Sequence, residues 1–187
     1  MTQPVHTAQA PTVDHVWAAL DTLTDPEIPV VTLREMGILR DVRVASDGSV
    51  DVVITPTYSG CPAIEQMEDD VRATLKELGI TARLVTQLAP AWTTDWMTQA
   101  ARDKLRAYGI APPAACGSAN ANANANATGP SNIVIQFANK TLARDVVPCP
   151  RCGSHDTTET SHFGSTACKA LYKCLSCMEP FDYFKPY

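Results

Sequence analysis

Apolar positions along the first hundred residues change period several times, and each change marks an element. Val13, Val16, Leu20 and Leu23 recur at spacings of three and four, which predicts a helix with a buried stripe, capped by Thr12 and stopped near Thr24. Pro26 and Pro29 exclude a helix through Asp25-Pro26-Glu27-Ile28-Pro29-Val30, so an ordered loop bearing two carboxylates follows. Turn chemistry and solvation alone would explain those two acids. Met36 to Val44 alternates as a strand, Asp47-Gly48 signals a turn, and Val50 to Ile54 returns, which predicts a hairpin. Ile64, Met67, Val71, Leu75 and Leu78 then repeat with helical spacing from Pro62 to Leu78, ahead of Gly79. A third strand, Thr81 to Leu88, places Ala82, Leu84 and Thr86 on one face. Thr98 caps a short helix through Leu105 that closes at Gly109, with Trp96 and Tyr108 placed to cover a core edge.

Helix, strand, strand, helix, strand, helix is the order of an α+β domain, a small mixed sheet with helices mainly on one face. Its expected core is Val16, Leu20, Val52, Ile54, Ile64, Met67, Val71, Leu75, Leu84 and Leu105. The domain is bounded at residues 12–113, after a polar tail at 1–11. Residues 114–130 run from Ala114-Ala115-Cys116-Gly117-Ser118 through alternating Ala and Asn to Thr128-Gly129-Pro130 with no apolar period, which reads as a flexible linker with Cys116 inside it and without a role. A coil of about 15 residues reaches on the order of 20 Å, so the two domains need not share a fixed interface.

Residues 131–187 form a small β-rich domain of zinc-ribbon type, in which Ile133 to Phe137 alternates as a strand. Cys149-Pro150-Arg151-Cys152 and Cys174-Leu175-Ser176-Cys177 are two C-x-x-C pairs separated by 21 residues, so four thiolates can converge on one tetrahedral ion. Gly153 supplies a backbone position free to take positive φ. So small a domain buries little surface, and a structural tetrathiolate zinc contributes roughly 10 to 16 kcal/mol of apparent stability. Redox disulfides or a coloured rubredoxin-like iron are the alternatives. Cys168 and His162 lie between the pairs and are spare by spacing. Phe181, Tyr183, Phe184 and Tyr187 either bind a partner or fill the ribbon's core.

Cys61 lies in Thr55-Pro56-Thr57-Tyr58-Ser59-Gly60-Cys61-Pro62, at a strand-to-helix junction. With Pro62 in the first turn, Cys61 would occupy the N-cap, where unpaired N–H groups and the helix dipole favour thiolate. A small buried residue with apolar neighbours is the bland alternative. A thiol enzyme using Cys61 with His15 or His162 as base has less support, since neither histidine has a position that promises hydrogen-bond reach.

Charge and cysteine usage narrow the setting. Residues 1–114 carry nine Lys or Arg against fifteen Asp or Glu, and residues 131–187 carry six against five, so neither half has the basic surplus that nucleic acid requires. No apolar run approaches the roughly 20 residues that cross a bilayer. Seven cysteines, an odd number with four of them in paired C-x-x-C spacing, and no basic and apolar leader at the start suggest a cytoplasmic protein with reduced thiols.

Asp25-Pro26-Glu27-Ile28-Pro29-Val30, then Met36-Gly37-Ile38, then Gly60-Cys61-Pro62 resembles the small domain of SufT and related iron-sulfur assembly adaptors. The tetracysteine tail, with Phe163-Gly164-Ser165-Thr166 and Glu179-Pro180-Phe181-Asp182-Tyr183-Phe184, is similar to the PaaD family, the D components of phenylacetyl-CoA 1,2-epoxidase systems. The resemblance covers roughly residues 12–110 and 131–187; the Ala-Asn linker is not part of it. It implies that Cys61 is a reactive or transfer thiol and that Asp25 and Glu27 belong to an acidic loop beside it. It implies zinc at Cys149, Cys152, Cys174 and Cys177, and transient handling of iron or an iron-sulfur cluster. Its partners would be the oxygenase and reductase subunits of the epoxidase, with a homodimer left open. The role implied is an accessory one without catalysis, in assembly or insertion; a stoichiometric structural subunit of the complex is the alternative. The chain itself has no pair of E-x-x-H motifs for a di-iron site and no flavin or nicotinamide fingerprint.

Overall fold

The structure, a computed structural model, describes residues 11–113 and 146–187. The tail, the Ala-Asn segment with Cys116, and the strand expected at Ile133 to Phe137 lie outside the described residues.

Helix α1 spans Val13–Leu20, and Thr12 Oγ1 accepts from His15 N–H at 3.2 Å. It ends a turn earlier than its apolar spacing predicts. Val16 and Leu20 are fully buried and Leu23 packs partly against them, but Val13 is 39% exposed and does not extend the stripe. Strands β1 (Leu39–Val44) and β2 (Val50–Ile54) form the expected hairpin, and β2 pairs in parallel with β3 (Ala82–Thr86). The crossover between them is α2 (Ile64–Glu77), which packs on α1 and β3. Central β2 is buried at Val50, Val52, Val53 and Ile54. Of the expected core, Ile64 and Leu84 are only half-buried, at the margin of the cluster.

Much of the core comes instead from the loop between α1 and β1. Ile28, Val31, Leu33, Met36 and Ile38 are each at most 1% exposed. The loop satisfies its own backbone: Asp25 N–H donates to Val31 O at 3.0 Å, Val31 N–H to Ile28 O at 3.1 Å, and Met36 N–H to Thr32 O at 3.0 Å. β1 starts at Leu39 rather than Met36, because Gly37 takes φ +71° and a Cβ there would lie 2.7 Å from Trp96 Cβ. Trp96 belongs to a short 3-10 turn, Thr94–Trp96, that leads through cap Thr98 into α3 (Gln99–Tyr108), and Gly109 closes α3 at φ +98°.

The chain then runs directly into the second sheet. Its order is β4 (Ile110–Ala111), β7 (Pro180–Phe184), β6 (Lys169–Cys174), β5 (Thr157–Ser161), with β4 parallel to β7 and the rest antiparallel. A strand continuous with α3 is thus the edge of the ribbon's sheet. Phe184 is 1% exposed within the N-terminal core, its ring 5.9 Å from that of Trp92. The Tyr187 carbonyl accepts from Thr94 N–H at 3.2 Å and Thr93 Oγ1–H at 3.0 Å. The linker left a fixed interface between the two parts open, and the structure has one. A low-complexity tether sets how far its ends can travel, whereas complementary surfaces at Trp92 and Phe184 decide where they rest. Phe181, Tyr183 and Phe184 are accordingly core, and Tyr187 is the partly exposed aromatic among the four.

Candidate functional site

Two constellations emerge, and their geometry differs. In the ribbon, the sulfurs of Cys149, Cys152, Cys174 and Cys177 all lie within 4.8 Å of one another. Cys149 and Cys177 Sγ are 3.8 Å apart, and Cys152 and Cys174 Sγ 3.6 Å. A tetrahedron with metal–sulfur bonds of about 2.3 Å has edges of about 3.8 Å, so the donor set fits a tetrathiolate zinc. Each pair sits on a turn. Gly153 N–H returns to Cys149 O at 2.9 Å with φ +74°, and Cys177 N–H points at Cys174 Sγ at 3.4 Å while Met178 takes φ +64°. The residue after each second cysteine is therefore left-handed, which the sequence advertises at Gly153 and hides at Met178.

The second constellation surrounds Cys61, in the segment between β2 and α2. Cys61 is not the N-cap, since α2 begins at Ile64 and Ala63 is its flanking residue. Tyr58 O accepts from Cys61 N–H at 3.2 Å, and Cys61 O from Ile64 N–H at 3.3 Å, so the sulfur sits one turn before the helix. The thiolate-favouring setting expected at the N-cap is overturned as well. Burial pushes the Cys61 thiol up from its ordinary pKa, and the carboxylates of Glu27 and Asp25 push it further, against the Ala63 N–H and the Tyr58 hydroxyl. Tyr58 is itself pushed up to about 12, first by burial and then by Cys61 and Cys168, so its hydroxyl stays a donor at neutral pH.

Asp25 and Glu27 do reach Cys61. Asp25 is 7% exposed, and its Oδ1 accepts from Glu27 N–H at 2.8 Å and Ile28 N–H at 3.1 Å. Burial raises its pKa in spite of those two N–H groups and the nearby Lys169 ammonium. These acids, with Thr57, Cys61 and Met67, line a crevice of about 10 Å³ that is closed from the ribbon side by Cys168 and Phe184. That volume matches about one water molecule and excludes an organic substrate. Among the described residues no histidine lines it: His15 is exposed on α1, and exposed His162 lies 3.2 Å from Glu159. The base that a thiol enzyme would need is therefore not supplied by either residue.

Cys168, spare by spacing, is the site residue that the sequence does not reveal. It is 7% exposed, 3.0 Å from Thr166 Oγ1, and held by Lys185 N–H donating to its carbonyl at 3.0 Å. The one available signal is arithmetic: with four cysteines committed to the metal and Cys116 in low-complexity sequence, Cys61 and Cys168 are what remains.

Comparison with known proteins follows the same division. A family model for an iron-sulfur cluster assembly protein matches residues 14–82, and one for the PaaD zinc beta ribbon domain matches residues 136–185. A protein of Escherichia coli K12 is 46% identical over 184 residues, 98% of each chain; its name gives it, provisionally, as the D component of 1,2-phenylacetyl-CoA epoxidase, one of that enzyme's subunits. This chain belongs to the PaaD family. The N-terminal part of this PaaD family member is also similar to an Fe-S protein maturation auxiliary factor of Porphyromonas gingivalis, 33% identical over 92 residues, which are 48% of this chain and 87% of that protein. A Bacillus subtilis factor with the same description is 29% identical over 91 residues, 48% of this chain and 88% of its own length. Among solved structures, a DUF59 domain of Bacillus anthracis is 24% identical with a TM-score of 0.47, covering 50% of this chain and 90% of its own. A PaaD chain thus joins an iron-sulfur assembly domain to a zinc ribbon. Among the described residues, no helix is long and apolar enough to cross a membrane.

Proposed function

We propose that this chain is a cytoplasmic accessory protein of a phenylacetyl-CoA 1,2-epoxidase, assisting the insertion of iron or an iron-sulfur cluster into the oxygenase or reductase subunits without catalysing the epoxidation itself. The observation that carries this is the crevice. A cysteine and an acidic loop converge on a space of about 10 Å³, which suits an ion and cannot admit an acyl-CoA. Relatives named as Fe-S maturation factors share this part of the chain, and the E. coli relative's name supplies the epoxidase. In this account Cys61 is the transfer thiol and Asp25 and Glu27 assist it. Cys149, Cys152, Cys174 and Cys177 hold a structural zinc, because all four coordination positions are filled by sulfur and none is open to a substrate.

The test is Cys61→Ser in cells that depend on the epoxidase. The variant keeps its fold and its zinc and no longer supports epoxidation; wild-type activity from it would refute the role. The E. coli relative's designation as a subunit favours a second reading, in which the protein remains in the mature complex as a structural component. Co-purification with the oxygenase subunits at fixed ratio, insensitive to Cys61→Ser, would select that reading.

A further inference from the structure

The crevice beside Cys61 contains a second thiol, contributed by the ribbon. Cys168 lines the same space as Cys61, Asp25 and Glu27. Its placement is a consequence of docking: the Cys168 carbonyl is tied to Lys185 N–H at 3.0 Å, next to the Phe184 ring that is buried against Trp92. Two thiols and two carboxylates thus line a space with no cationic side chain in its lining among the described residues, and the nearby Lys169 ammonium is 3.4 Å from Asp182. Such a cluster, half-buried and short of positive charge, is what a cation relieves.

We propose that Cys61 and Cys168 form a two-sulfur clamp for a single divalent cation of the iron(II) class, with carboxylate oxygen from the Asp25–Glu27 loop completing its shell. This rests on the reading of Cys61 as an iron site and adds the ribbon as supplier of a ligand. Sulfur selects iron or zinc over magnesium and calcium, and mixed sulfur and carboxylate donors suit iron(II). The volume holds one ion and no cluster. Among the described residues, the ribbon cysteines alone bring three or more donors within 4.8 Å of one another, so the crevice donors are more widely spread and close on the ion as it binds. An ion held between two parts of the molecule is released when they separate, which suits cargo rather than a resident metal. On binding, each thiol gives its proton to solvent and its sulfur forms a bond to the cation; no electron is transferred.

The experiment uses the full chain with its ribbon already zinc-loaded, titrated without oxygen with cobalt(II) as the probe for iron(II). One further equivalent is expected, with intense sulfur-to-cobalt absorption and about two protons released per ion. Cys168→Ser keeps one zinc and the wild-type unfolding midpoint, yet weakens the second site by more than the roughly 10- to 100-fold that an outer-shell partner is worth. Where serine disturbs the zinc content, Cys168→Ala is read in its place. X-ray absorption on the wild-type protein gives the sulfur count at the second ion directly: two are expected, and one or none overturns the clamp. Loss of binding in Cys61→Ser but not in Cys168→Ser refutes the clamp and leaves the transfer role of Cys61 standing. Indifference to both substitutions refutes both.

Discussion

Phe184→Ala tests whether the ribbon is an independent appendage or part of the N-terminal core. Phe184 belongs to the ribbon's last strand, yet it is 1% exposed among N-terminal residues and its ring centroid is 5.9 Å from that of Trp92, tilted by 58°. Burying a side chain of this size removes about 150 to 200 Å² from water, worth about 4 to 5 kcal/mol at about 25 cal/mol per Å². Truncation to alanine in a core costs about 3 to 5 kcal/mol, the cavity included. Tyr187, whose ring is edge-on to Trp92 with centroids 6.3 Å apart, and the two-residue pairing of β4 with β7 remain to hold the interface, and neither occupies the volume that Phe184 vacates. Trp17, Trp92 and Trp96 all lie in the N-terminal part, so tryptophan fluorescence follows that part in urea, while zinc release to a chromophoric chelator follows the ribbon. In the wild type the two transitions coincide. In the variant the fluorescence transition moves by about 3 to 5 kcal/mol and the two separate. A change below about 1 kcal/mol, or separate transitions already in the wild type, would refute the docking energetics.

Gly37→Ala should destabilise by more than about 2 kcal/mol in urea, because it combines φ +71° with a Cβ 2.8 Å from the Trp96 carbonyl oxygen. Thr98→Ala removes the cap that accepts from Ala101 N–H at 3.1 Å and should cost about 1 kcal/mol. Asp25 is raised by burial, so its contribution to stability is present below its unfolded pKa and is lost as pH rises through the higher folded value. Asp25→Asn keeps an oxygen for Glu27 and Ile28 N–H and should therefore be neutral or stabilising at pH 7, with a flatter profile of stability against pH above 4, whereas Asp25→Ala loses about 1 to 3 kcal/mol. Stripping zinc with a strong chelator should unfold the ribbon and make Phe184 and Cys168 accessible, read as new protease cleavage after residue 146 and faster reaction of Cys168 with a thiol reagent.

Local pattern made much of the fold legible. The helical stripes at Val16 and Leu20 and at Met67, Val71 and Leu75, the Asp47-Gly48 hairpin and the Gly109 stop are encoded by residues close in sequence, and the structure places them where period and turn chemistry do. The buried loop from Ile28 to Ile38 escaped because its apolar residues follow no period: Pro26 precedes it, Pro29 lies within it, and its hydrogen bonds are a series of turns. The ribbon's metal ligands could be read from spacing, since the geometry of two C-x-x-C turns is local. The crevice could not. Cys61 and Cys168 are 107 positions apart, and it is the docking of the ribbon, with Phe184 packed on Trp92, that brings them to one space. The N-cap expected for Cys61 failed for a smaller reason: Pro62 is compatible with a first helical turn but does not require one, and the chain spends another turn before α2.

The central claim is that this protein loads iron into the epoxidase rather than working within it. The most direct measurement is the iron, acid-labile sulfide and specific activity of the epoxidase subunits purified from cells expressing wild-type protein, Cys61→Ser, or none. Metal-poor subunits are expected in the last two cases, and they stay inactive when the wild-type protein is added after purification. Fully loaded subunits that become active once it is mixed in would contradict the claim and make the chain a working component of the complex.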